Sequence, residues 1–141
     1  MSFEYDEYIR AGTKWSMFMA LDRAPDRALD LLGALRAGRV NGFWYYGTCA
    51  CLIGILSGSN SENIDSRQAR NNAVACGLRE VHGSYTDTPA ELIPAEQLFL
   101  TLRPGDRPAT NKYARYAEHC VLDWMQQRAK SGPEEVGAAE A

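Results

Sequence analysis

This chain has no apolar run approaching the ~20 residues that a membrane-crossing helix needs, which argues against a helical span. It is poor in cysteine: Cys49, Cys51, Cys76 and Cys120 among 141 residues do not make a disulfide framework, and reduced thiols are expected. It is also short of net charge. Three of the 18 acidic residues, Glu134, Glu135 and Glu140, follow Gly132, so residues 1–132 hold 15 acidic and 15 basic residues. A balanced domain has no long-range field to draw it onto DNA or an anionic membrane, so no general nucleic-acid binding and no membrane binding are expected. The first residues, Met1-Ser2-Phe3-Glu4-Tyr5-Asp6-Glu7-Tyr8, are acidic and aromatic, unlike the basic start and apolar middle of a signal peptide. A cytoplasmic protein is the expectation.

Catalytic signatures are missing too. There is no Gly-x-Ser-x-Gly elbow, and Gly58-Ser59-Asn60-Ser61 lacks the lysine and the glycine spacing of a phosphate-binding loop. Cys49, Cys51, Cys76, Cys120, His82 and His119 are six possible metal ligands, but the only close cysteine pair is spaced C-x-C. On a helix such a pair diverges by ~200° at 3.6 residues per turn, whereas zinc sites favour C-x2-4-C. Cysteine is also a common buried filler. No metal site and no cofactor are therefore expected. A metal- or cysteine-dependent enzyme using Cys49, Cys51, Cys76 and His119 stays as an alternative, but no residue can be nominated to orient a Cys76–His82 dyad.

What is present is a helical pattern. Pro25 and Asp26 suit a helix's first turn, Ala28, Leu31, Leu32 and Leu35 share a face, and Gly38 supplies a stop. The spacing predicts a helix over 25–37. Residues 1–21 are aromatic-rich and can be helical or extended. Cys49 to Leu56 is continuously apolar or small and reads as a buried helix. Asp65 or Ser66 caps a helix to Cys76, ended by Gly77. Residues 78–88 read as loop or a short strand around Val81. Thr88-Pro89-Ala90-Glu91 has the cap, proline and acid of a helix start. A last helix from Thr110 places Tyr113, Ala117, Cys120, Val121 and Trp124 on one face and closes at Gly132-Pro133. These elements predict an all-α single domain of about five helices over residues 1–132. A small β element is predicted near 40–47 and a disordered acidic tail over 133–141.

Two features carry candidate chemistry. Leu102 to Lys112 stops one apolar segment, turns at Pro104-Gly105-Asp106 and opens the last helix, placing Arg103, Arg107, Asn111, Lys112 and Arg115 near its N-terminus. Unpaired backbone N–H groups and the helix dipole favour an anion there, and guanidinium groups can hold a phosphate or carboxylate bidentately. The plainer reading is that Asp106 caps the turn or pairs with an arginine, leaving the rest in solvent. The second feature is Phe43-Trp44-Tyr45-Tyr46, four adjacent aromatics that cannot all point into one core. One of them can stack on a ligand ring or anchor a protein interface. The candidate ligand-binding set is Arg103, Arg107, Asn111, Lys112, Trp44, Tyr45 and Tyr46, with no catalytic residues.

Tyr46-Gly47-Thr48-Cys49-Ala50-Cys51-Leu52-Ile53-Gly54 resembles a Gly-x-Cys-Ala-Cys-Leu-x-Gly block of small uncharacterised phage and prophage proteins. In them it is followed by a block like Pro94-Ala95-Glu96-Gln97-Leu98-Phe99-Leu100 running into Leu102-Arg103-Pro104-Gly105-Asp106, and by a tryptophan-containing last helix, here ending Leu122-Asp123-Trp124. The likeness covers roughly residues 27–125 and brings no transferable activity. It implies a phage or mobile-element origin and a bacterial host cytoplasm. With the residues above, the expected function is a non-enzymatic, homo-oligomeric binding protein that sequesters a small anionic, nucleotide-like ligand to counter a host system. A protein–protein inhibitor or assembly module, acting on a host protein through its aromatic surface, is the alternative.

Overall fold

Met17 and Leu21 on the first helix and Phe99 on the fifth are fully buried, in a core to which all six described helices contribute. The computed structural model describes residues 9, 11–42, 51–58 and 64–140, the last ten as backbone only. Among these residues the chain is all-α with one small β element. The helices are α1 (Ala11–Arg23), α2 (Ala28–Ala37), α3 (Leu52–Leu56), α4 (Ser66–Ala75), α5 (Ile93–Leu100) and α6 (Lys112–Glu140). An antiparallel hairpin joins β1 (Glu80–His82) to β2 (Tyr85–Asp87).

Helix α1 resolves a choice that its sequence leaves open. Thr13, Ser16, Met17, Ala20, Leu21 and Ala24 are buried at helical spacing, while Gly12, Trp15 and Asp22 face outward. That face packs on α5 and α6. The helix expected over 25–37 is present, with Pro25–Arg27 as a 3-10 turn leading into α2. Gly38, at φ 69°, is its left-handed cap, and Arg39 N–H returns to Ala34 O at 2.8 Å. In α3 every residue is buried. Such a helix must satisfy its own ends: Cys51 Sγ accepts from Gly54 N–H at 3.4 Å, and Ser57 Oγ donates to Ile53 O at 2.6 Å. Asp65 caps α4 by accepting from Gln68 N–H at 2.8 Å, and Gly77, at φ 83°, follows the helix end.

Two expectations are corrected, at Thr88 and at Gly132-Pro133. The described β element lies at 80–87, in the stretch read as loop or short strand around Val81; of residues 40–47, Val40 forms an isolated bridge and 43–47 fall outside the described residues. Two three-residue strands lie on either side of Gly83-Ser84, and Gly83 adopts φ 61°, the positive value that the first residue of a type II′ hairpin turn needs. Thr88 caps no helix: its hydroxyl donates to Glu96 Oε2 at 2.7 Å. The chain instead makes a 3-10 turn at Ala90–Leu92 before α5. The stop expected at Gly132-Pro133 is not where the backbone turns. Proline's φ is compatible with a helix although it removes one hydrogen bond, the flanking glutamates and alanines are good helix formers, and α6 takes in residues expected as a tail.

One joint spans the fold. Ser16 Oγ on α1, fully buried, donates to Glu91 O at 2.7 Å and accepts from Ala95 N–H at 3.1 Å. Ala95 lies in the first turn of α5, which has no capping side chain of its own. Arg23 extends the same joint by donating to the Glu91 carboxylate and to Gly77 O, the latter at 3.1 Å. At the opposite side of α1, Lys14 pairs with Asp123 of α6, and Trp124 Nε1 donates to Asp22 Oδ1 at 2.8 Å.

Candidate functional site

Two backbone hydrogen bonds build the basic end of the molecule. Gly105 N–H donates to Gly38 O at 2.8 Å, and Gly42 N–H donates to Leu102 O at 3.0 Å. The cap of α2 and the loop ahead of α6 are thereby laced together. Gly42 permits the approach: a Cβ there would lie 2.3 Å from Phe99 O and 2.5 Å from Leu100 Cα. Arg39 leaves one strand of this joint, and Arg103 and Arg107 leave the other. All three are exposed.

The turn holds itself together much as the plainer reading expects. Asp106 Oδ2 accepts from Arg103 N–H at 2.9 Å. Arg107 lies across Gly38, with Cγ and Nε 3.1 Å from where a Cβ would sit, and its guanidinium reaches Ala37 O at 3.5 Å, near the negative end of α2. Arg115 Nε donates to Pro108 O at 3.0 Å. Lys112 Nζ stands 5.0 Å above the Tyr113 ring.

The expectation of unpaired N–H groups at the last helix is corrected. Asn111 Oδ1 accepts from Tyr113 N–H at 2.8 Å and from Ala114 N–H at 3.0 Å, and Asn111 N–H itself donates to Arg107 O at 2.8 Å. These are the groups an anion would have used. Charge at this end is therefore presented by side chains rather than by open helix N–H groups. The side chain of Arg39, absent from the sequence-derived set, has no hydrogen-bonding or charged partner among the described residues. Its signal was the Gly38 cap immediately before it. Trp44, Tyr45 and Tyr46 lie outside the described residues.

The described thiols are held in the protonated form by their surroundings. Burial pushes the Cys120 thiol up to about 12, and burial likewise raises Cys51 and Cys76 above the ordinary thiol value. Among the described residues no three His, Cys, Asp or Glu side chains are grouped to hold a metal, Cys49 lying outside them. His119 sits on the exposed side of α6 beside Tyr116, their ring centroids 6.2 Å apart. No helix among the described residues is long and apolar enough to cross a membrane.

The chain matches no protein-family model, and no curated protein or solved structure matches it.

Proposed function

We propose that this chain is a non-enzymatic binding protein that recognises a small anionic, nucleotide-like ligand at its basic end. The observation that carries the reading is the pair of bonds Gly105–Gly38 and Gly42–Leu102. They bring Arg39 beside Arg103 and Arg107, and Gly42 directly precedes Phe43-Trp44-Tyr45-Tyr46 in sequence. Guanidinium groups supply bidentate contacts to a phosphate, and an aromatic supplies stacking for a base. Capture of such a ligand to counter a host system, by a homo-oligomer in a bacterial cytoplasm, belongs to the same proposal. Native mass spectrometry of gently purified protein, followed by denaturation, tests it: an anion released on denaturing and lost in Arg39→Ala/Arg103→Ala is expected. An apo mass that stays apo when nucleotides are added overturns it.

A second reading, a protein-binding surface, draws on two exposed apolar side chains, Trp15 at 59% and Leu29 at 67%. Trp15→Ala and Leu29→Ala should then abolish self-association or partner capture without loss of fold. Unchanged assembly in both would count against it.

A further inference from the structure

The hairpin and Arg70 of α4 border an open recess away from the basic end. It has a volume of about 310 Å³ and is lined by Arg70, Val81, Gly83, Ser84, Tyr85 and Thr86. The strand register pairs Val81 with Thr86, so these two side chains stand together on one face of the hairpin, while His82 and Tyr85 pair on the other. Val81 is 59% exposed, an apolar side chain that nothing among the described residues covers. Tyr85 is exposed as well and is held by its ring stacking against His82, with centroids 5.5 Å apart. Arg70 projects from the exposed face of α4, and its side chain has no ion pair or hydrogen bond among the described residues. The hydroxyls of Ser84 and Thr86 complete the polar lining.

These groups converge on one chemistry. A solvent-facing guanidinium with two hydroxyl-bearing residues lining the same recess is a receptor for an oxyanion, and the exposed valine is a seat for an apolar or planar body. We infer that the α4–hairpin recess binds a small organic oxyanion, its phosphate or carboxylate on Arg70, Ser84 and Thr86 and its apolar body over Val81. The volume fits one ring with its anionic group, at the lower end of small-molecule sites. The site is separate from the basic end, and neither reading depends on the other.

Backbone-amide NMR of the full chain tests this, with phenyl phosphate, benzoate and inorganic phosphate titrated separately to millimolar concentration. Saturable shifts at Val81, Gly83, Ser84 and Thr86 are expected with phenyl phosphate or benzoate, and whichever binds more tightly identifies the anion. Arg70→Gln should weaken that binding at least about tenfold, the scale of one lost charge-assisted contact. Arg70 is exposed, so its variant should melt like the parent, and Val81→Ser gives an independent check on the apolar seat. Arg103→Ala should leave the titration unchanged. No saturable shift at the hairpin, equal response to inorganic phosphate alone, or undiminished binding in Arg70→Gln would overturn the inference.

Discussion

Alanine replacements at two glycines should move stability in opposite directions, and the structure sets both signs. At Gly42 an added Cβ would meet Phe99 O at 2.3 Å, against the 3.4 Å where ordinary contact begins, so one segment must retreat by about 1 Å. The obstacle is backbone and cannot swing aside. Overpacking of this kind costs about 1–3 kcal/mol, and loosening the Gly42–Leu102 hydrogen bond costs about 1 kcal/mol more. The smaller entropy of an unfolded alanine returns about 0.4–1 kcal/mol, leaving a loss of about 2 kcal/mol. Gly33 sits exposed within α2, with nothing within 4 Å of its Cβ position and no positive φ. There the helix preference of alanine acts alone and should add about 0.5–1 kcal/mol. For a chain of this length the expected changes in melting temperature are about −8 °C for Gly42→Ala and about +3 °C for Gly33→Ala. Urea unfolding read by far-UV circular dichroism gives the free energies directly. A Gly42→Ala protein within about 0.5 kcal/mol of the parent, the usual range of an inconsequential surface change, would refute the close approach described for the basic end.

Ser16→Ala should destabilise by about 2–4 kcal/mol, because it strands a buried N–H at Ala95 and a carbonyl at Glu91, each worth about 1–3 kcal/mol; Ser16→Cys or Ser16→Thr restoring most of the loss in a urea titration would separate hydrogen bonding from packing. Two carboxyls are held low in the folded state, Glu91 by the Arg23 guanidinium and Asp123 by the Lys14 ammonium, below ordinary values of 4.5 and 3.8. Their contribution is present above those values and is lost as pH falls through the lower folded ones. Glu91→Gln/Asp123→Asn should therefore flatten the acid limb of melting temperature against pH, and a limb as steep as the parent's would contradict the pairing. Cys120 and Tyr116, both pushed up to about 12 by burial, act at the other end. Their neutral forms stabilise the fold below ordinary values of 9.0 and 10.0, and that stability drains as pH rises towards 12. Cys120→Ala/Tyr116→Phe should resist alkaline unfolding, followed by intrinsic fluorescence, better than the parent does.

Helices whose signals are local were legible. Pro25, Asp26 and Gly38 bracket an apolar stripe, and Asp65 with Gly77 brackets α4, so caps and periodicity agree with the packing that follows. The hairpin was half legible: Gly83-Ser84 is a two-residue turn signal, but its exposed three-residue strands carry no buried alternation to support it. At the basic end the sequence displays the charges but not their use. Arg107 lies over a glycine about seventy positions earlier, and no local pattern announces that contact. Asn111 was readable as a helix cap from its place before Lys112. Counting cations around it drew attention from the simpler role of its side chain. Trp44, Tyr45 and Tyr46, on which the stacking half of the proposed site rests, lie outside the described residues.

The serine that serves α5 from α1 also bears on how this chain reaches its structure. An eight-residue helix is too short to persist alone in water, and α5 depends for its first turn on a hydroxyl 79 positions upstream. Its formation and its docking are therefore one event, with loop closure coming before the reward. Folding should be slower than helical content alone suggests. A nascent chain would hold α5 unformed until α1 returns to it, and a peptide spanning 88–130 should gain helicity only when α1 is added in trans.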